Sequence, residues 1–374
     1  MPSRNRVEEM PFTDGGIRAQ WREATQSWII PPNPIILNGA YRYRGVCDDT
    51  IGSPGVAHPL TIEKKTNTFL TINGMKTYPN GDFYYHTNYV PVTSIDVGHL
   101  TVNKGDTLAN DFTRLYARTN PNRATVMGAV SIAELRDLPR MVKLAGESIL
   151  KNSAGGYLSW TFGWAPLLDD LRKLLDFNGA VDRKVKELHR LYSKGGLRRR
   201  MTLHKTEGAD ANSFSGGPGD AQWVINQKIT TQYRKWGTVR WYPTSLPPKN
   251  EGEYRRLAIQ LAFGLDVSAS TVWNVLPWTW LIDWFSNVGD YLEAYKNTVP
   301  VTPVNACIMQ TTRTRKHSVK SPSSDKVWEI SHGQATRTSL QRTLGSPSIT
   351  ASIPFLTGRQ LSILSALAIT RLTR

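Results

Sequence analysis

Pro277 to Lys296 reads PWTWLIDWFSNVGDYLEAYK, which sets three tryptophans and an aspartate at helical spacing directly behind a proline. The run is too short and too polar to cross a membrane. A spanning helix needs roughly 20 apolar residues, and Asp283, Asn287 and Asp290 interrupt this one. Trp280, Trp284, Val288, Tyr291 and Tyr295 predict the buried stripe of an amphipathic helix, with Pro277 marking its start. Two further blocks share this character: Tyr157 to Leu175, YLSWTFGWAPLLDDLRKLL, and Leu361 to Arg374, LSILSALAITRLTR.

Charge is the next informative feature. With 46 Lys+Arg against 30 Asp+Glu the chain carries +16 and a pI near 9.8, which predicts attraction to polyanions; the plainer alternative is a merely basic soluble protein. Its 374 residues allow two or more domains. Cys47 and Cys307 lie far apart, so neither a thiol-metal cluster nor a disulfide framework is indicated. The opening MPSRNRVEEMPF has no apolar segment resembling a secretory signal, and no later run is long enough to span a bilayer, so the product is expected to be made and assembled in a cytoplasm.

The first hundred-odd residues are rich in Pro, Gly, Asn, Thr and Tyr and carry two hairpin signals. Thr68–Ile72 and Met75–Tyr78 flank Asn73-Gly74, and Asn80-Gly81 precedes Phe83-Tyr84-Tyr85. Helical patterning follows from Ala124 to Lys151, broken near Pro139, with Gly155-Gly156 as a hinge. A second helical segment begins near Pro166, and Leu167, Leu171, Leu174, Leu175, Val181, Val185, Leu188 and Tyr192 continue one apolar face past Asn178-Gly179. After Gly195-Gly196 strand character returns, and Val224 to Tyr242 alternates Ile225, Ile229 and Tyr233 with Asn226, Lys228, Gln232 and Arg234. Helix is expected from about Gly252 to Lys296. Thr311 to Arg342 is strand-like with a turn at Ser321–Ser324, and the C-terminus closes as a helix.

This order predicts an α+β protein built from discontinuous segments. Residues 1–118, 200–250 and 299–350 are β-rich and expected to share one sheet. Residues 119–199, 251–298 and 351–374 are helical.

The basic run from Arg183 to Lys205 is the strongest candidate for chemistry. Arg183, Lys184, Lys186, Arg190, Lys194, Arg198, Arg199, Arg200 and Lys205 stand against Glu187, so nine minus one gives +8, half the charge of the whole chain. Such density suits phosphate binding by counterion release, and arginines can stack on unpaired bases; a solvated helix face is the alternative. Arg313, Arg315, Lys316, His317 and Lys320 form a second group, read either as RNA-contacting or as charge that protects an edge strand. Trp160, Trp164, Trp273, Trp278, Trp280 and Trp284 could stack on RNA, but their spacing beside Leu and Val favours core packing. A carboxylate amid apolar residues is costly to bury unpaired, so Asp170 and Asp283 are assigned structural hydrogen bonds to a Trp, an Arg or a backbone amide.

The seven histidines are scattered without metal-ligand spacing. Gly216-Gly217-Pro218-Gly219 lacks the Lys-Ser/Thr of a phosphate-binding loop. No catalytic residue, metal or cofactor is assigned, and the chain is not read as an enzyme.

The three tryptophan-rich and terminal blocks together resemble the maturation (A) proteins of the single-stranded RNA phages, the leviviruses. Phe162-Gly163-Trp164, Pro166-Leu167 and Asp170 look like the family's F-G-W-x-P-L-x-x-D box. Pro277, Asp283-Trp284, Val288-Gly289 and Leu292-Glu293 look like its second box, and Ala366-Leu367-Ala368 with Arg371 and Arg374 looks like its closing helix. The resemblance implies an elongated molecule with a β-sheet-rich arm and a helical bundle. It implies a minor capsid component, one copy per virion, that binds genomic single-stranded RNA, contacts coat protein and attaches the particle to a bacterial pilus for RNA entry. In that picture Tyr41, Tyr43, Tyr84, Tyr85 and Tyr89 are candidates for the pilus-facing surface. Two rivals stand beside it: a different basic RNA-binding structural protein, and a maturation protein with an added host-lysis activity.

Overall fold

A computed structural model describes residues 3–52, 55–95, 97–124, 177–193, 195–263, 270, 282–283, 286–350 and 362–363. Phe162, Gly163, Trp164, Pro166, Asp170, Lys194, Pro277 and Trp284 lie outside the described residues, as does the helix expected from Ala124 to Lys151 beyond its first residue; of the C-terminal helix only residues 362–363 are described, and they are helical.

Thirteen strands and four α-helices are described, and the class is α+β with antiparallel sheets. The strands are β1 Ser3–Pro11, β2 Asp14–Arg22, β3 Ser27–Ile30, β4 Pro34–Ile36, β5 Tyr41–Thr50, β6 Leu60–Thr68, β7 Ile72–Thr77, β8 Phe83–Tyr89, β9 Leu197–Gly216, β10 Trp223–Pro243, β11 Val301–Lys320, β12 Glu329–Ile330 and β13 Gly333–Leu344. The helices are α1 Leu108–Thr119, α2 Phe177–Leu191, α3 Glu251–Phe263 and α4 Val288–Ala294. Seven strands form one sheet in the order β1-β5-β6-β13-β11-β10-β9; β12-β7-β8-β2-β3 form the second, with β4 paired to β2.

The chain divides into two compact units. The first comprises residues 1–105, 202–236 and 307–344, the second 106–201, 237–306 and 345–374, so β9, β10 and β11 have residues in both.

In the first unit, strand alternation builds an aromatic core. Tyr84 and Ile72 from the smaller sheet meet Trp223 and Ile225 of β10, with Leu70 and Trp328 also buried. Trp328 donates its indole N–H to the Ala221 carbonyl at 2.9 Å, so a large apolar ring is buried without an orphaned donor. Along β10, Ile225 and Tyr233 are buried while Asn226, Lys228, Gln232 and Arg234 face solvent, the period read from the sequence.

The second unit packs the apolar face of α1 (Phe112, Leu115, Tyr116) and that of α2 (Val181, Leu188, Leu191), and it buries Val239 and Trp241 of β10. Trp241 meets Tyr116 edge-on at 5.7 Å and donates to Thr119 Oγ1 at 3.3 Å. Gly237 leaves room for this packing, because a Cβ there would lie 2.6 Å from Leu115 Cδ2.

Four expectations need correction. Asn73-Gly74 is not a hairpin turn: β7 runs through it with a register shift, and Gly74 at φ +146° approaches the Val327 carbonyl so closely that a Cβ would sit 2.2 Å from it. The turn is at Asn80-Gly81, where Tyr78 and Asp82 close the loop. Helix also begins earlier than expected, because Thr107 caps α1 by accepting from the Asn110 amide. The helix read through to Lys296 is interrupted before α4, and Tyr295 is exposed rather than part of a buried stripe. Finally, β11 lies between β13 and β10 and is not an edge strand.

Candidate nucleic-acid interface

Two arginines on α1, one turn apart, start the site. Arg114 and Arg118 flank the buried face of the helix, and (i, i+4) spacing places them side by side. The chain then turns through Asn120–Arg123 and is pinned there. Asn120 donates to the carbonyls of Glu293, Ala294 and Lys296, and Asn122 exchanges hydrogen bonds with the Val299 amide and carbonyl. That network fixes where Arg123 emerges. From α2, the buried Lys184 donates to the Pro121 carbonyl at 2.6 Å and to that of Arg123 at 3.1 Å. At the start of β9, Arg199 reaches Glu187 at 3.0 Å, and Arg200 follows.

These groups line one cavity of about 680 Å³. Its walls carry Arg114, Arg118, Arg123, Lys184, Arg199 and Arg200 against Glu187, six positive charges minus one negative, or +5. Burial, and then the nearby Arg118, push the Arg123 pKa down. Burial also lowers that of Lys184, against the pull of Glu187. Guanidinium groups held together in a concave, partly desolvated site concentrate positive potential and match phosphate oxygens bidentately.

The sequence-derived basic run is thus divided by its own folding. Arg199 and Arg200 stand in the cavity wall. Arg183, Lys186 and Arg190 face solvent on α2, and Arg198 and Lys205 are exposed on β9. Lys184 must be withdrawn as an open phosphate ligand, because it is buried with its ammonium held by two carbonyls. In the second group, alternation along β11 exposes Arg313, Arg315 and His317 and buries Lys316. Lys316 donates to the Thr93 carbonyl and Lys320 to that of Trp328, so neither is a free surface cation. Arg114, Arg118 and Arg123 were missed; their one signal was the R-x-x-x-R spacing of 114 and 118.

Residues 102–358 match the family described as phage maturation protein. The chain belongs to that family. It is similar to maturation protein A2 of Qbeta virus (strain MX1), 25% identical over 45% of this chain and 39% of the relative. It is also similar to maturation protein A2 of Enterobacteria phage SP, 25% identical over 37% of this chain and 28% of the relative. The chain therefore matches well under half the length of either. In this family member the Asp283 to Gly289 spacing has a local reason. The exposed Asp283 accepts from the Gly289 amide at 2.9 Å, and a Cβ at Gly289 would lie 2.5 Å from the same carboxylate. Asp283 is thus a cap on an exposed turn, not a buried polar group.

The tyrosines are dispersed. Tyr84 is buried and is no part of a receptor surface; Tyr89 meets the His86 ring at a tilt, with centroids 4.5 Å apart, beside the same core. Tyr41 and Tyr43 sit half-buried on β5 of the larger sheet. Tyr85, on the opposite face of β8 from Tyr84, joins Trp21, Trp28 and Phe83 in a ring cluster with centroid separations of 5.1 to 6.5 Å. Trp28 and Met75 in this area are 39% and 56% exposed, which makes it an outward-facing aromatic surface. Among the described residues no group of His, Cys, Asp or Glu is placed to hold a metal, and no helix is long and apolar enough to cross a membrane.

Proposed function

We propose that the chain is the genome-binding and attachment component of an RNA phage particle. It takes one place in the coat-protein shell, holds the genomic RNA through the basic cavity of its second unit, and meets a bacterial pilus through its sheet-rich first unit. Membership of the maturation protein family supports the role, and the +5 cavity is the observation that carries the RNA assignment. Exposed Arg183, Lys186, Arg190, Arg198 and Lys205 extend the phosphate-contacting surface, with Arg313 and Arg315 as a weaker second surface. Trp21, Trp28, Phe83 and Tyr85 supply the receptor contact, in keeping with the enrichment of aromatic residues at interface cores.

The test is RNA binding by the full chain as a function of salt. Arg118→Ala with Arg123→Ala and Arg200→Ala should weaken binding and flatten the dependence of log affinity on log salt, by about 0.7 per lost contact to a single strand. An unchanged slope would place the RNA elsewhere. Particles carrying Trp28→Ser and Tyr85→Ser should package full-length RNA yet fail to adsorb to piliated cells; normal adsorption would remove this patch from the receptor surface.

A further inference from the structure

The cavity differs in kind from a surface that follows a nucleic-acid backbone. Its volume, about 680 Å³, is that of a site for one small ligand. A duplex spreads its charge along an axis and calls for an extended basic stripe; here six cations converge on one concave space with a single carboxylate among them. They come from four separate pieces of chain: α1, the turn after it, α2 and the first residues of β9. Arg114 is held by Asp106 at 3.2 Å, Arg199 by Glu187 at 3.0 Å, and Lys184 by the carbonyls of Pro121 and Arg123 before any ligand arrives. With Arg114 and Arg199 already paired to carboxylates, Arg118 and Arg123 bring two further guanidinium groups to the same concave space, which is best matched by several negative charges on adjacent phosphorus atoms. The widely separated single charges of a diester backbone match it less well. Bidentate pairing to neighbouring phosphate oxygens is the arrangement that planar guanidinium forks favour.

We propose that this cavity is a triphosphate-binding site, resting on the reading above that the same cavity meets RNA. The chemistry is shared by two sources, the 5′-terminal triphosphate of an unprocessed RNA and a free nucleoside triphosphate. Arg118, Arg123 and Arg200 clasp the phosphates, while Lys184 acts as a positioning residue that holds the Arg123 turn.

The experiment titrates the full chain with inorganic tripolyphosphate and orthophosphate. It then compares a nucleoside triphosphate, an RNA oligonucleotide bearing a 5′-triphosphate, and the same oligonucleotide ending in a 5′-hydroxyl. Tripolyphosphate should bind at least tenfold more tightly than orthophosphate, and Arg118→Ala with Arg123→Ala should abolish that preference. An unchanged thermal midpoint in the variant shows that it folds. A 5′-triphosphate RNA that binds at least tenfold more tightly than the 5′-hydroxyl form assigns the RNA end as the source. Equal RNA affinities with tight nucleoside triphosphate binding assign the free nucleotide. Tripolyphosphate binding no tighter than orthophosphate, or a preference that survives in the variant, overturns the proposal. Failure of both RNAs to bind would instead overturn the RNA reading, and the tripolyphosphate arm would still decide this one.

Discussion

The two units deploy the same residue types to opposite ends. On β11 the exposed Arg313 and Arg315 project from a sheet face, where strand geometry sets alternate residues roughly 7 Å apart, and each meets water on its own. In the second unit a helix, a turn, a second helix and a strand end converge, and six cations share one cavity. Aromatic residues show the reverse. The second unit buries Trp241 against Tyr116, while the first displays Trp28 and Tyr85 as well as burying Trp223 and Trp328. Alternation disperses side chains over a face, whereas convergence of unlike elements concentrates them.

The largest effect that would break this contrast concerns the buried tryptophan. Trp241→Ala should cost about 3 to 5 kcal/mol, read as a lower urea midpoint. Trp28→Ala, on the exposed patch, should change the midpoint little. Comparable losses at the two positions would show that the patch is part of a core.

Lys184→Met sharpens the account of the cavity floor. The variant keeps the buried stem but leaves the Pro121 and Arg123 carbonyls without their donor, at about 1 to 3 kcal/mol. RNA affinity should fall with it, because Arg123 is no longer held. Full RNA affinity in a destabilised variant would separate the floor from the binding wall.

His86 tests the first unit by pH. Its ring is buried among Tyr84, Tyr89, Trp223 and Trp328, and burial, then Arg18, depress its pKa to about 3 from the ordinary 6.5. Between those values the unfolded chain binds the proton and the folded chain does not. Stability contributed by the neutral ring is therefore complete above about pH 6.5 and is lost as pH falls toward 3, at up to about 1.4 kcal/mol per pH unit. His86→Gln should flatten that slope; an unaltered acid limb would assign it to other groups.

The smallest expected change is at the sheet face. Arg313→Ala with Arg315→Ala should reduce the salt slope of RNA binding by less than substitution of Arg118 and Arg123 does. Equal reductions would make the flat face as important as the cavity and remove the contrast.

Much of the strand pattern was legible. The alternation of Ile225 and Tyr233 with Lys228 and Arg234, the Asn80-Gly81 turn and the turn at Ser321–Ser324 all depend on neighbours in the chain, where period and turn chemistry act. Asn73-Gly74 misled because its glycine answers a distant demand, the close approach of the Val327 carbonyl. Lys184, Lys316 and Lys320 misled for a related reason. A count of charges does not record which face of an element a residue occupies, or which carbonyl waits there.

The basic character of the chain, its family boxes and its alternation of strand and helix segments can be read from the residues alone, because composition and periodicity are local quantities. The chain's packing is what brings Arg114, Arg118 and Arg123 to Arg199 and Arg200 around one cavity, and what buries Tyr84 while leaving Tyr85 half-buried on the opposite face of β8. Those outcomes depend on which distant segments pack together. Packing is set by burying the apolar face of each element, and the charged residues are carried to wherever that burial leaves them.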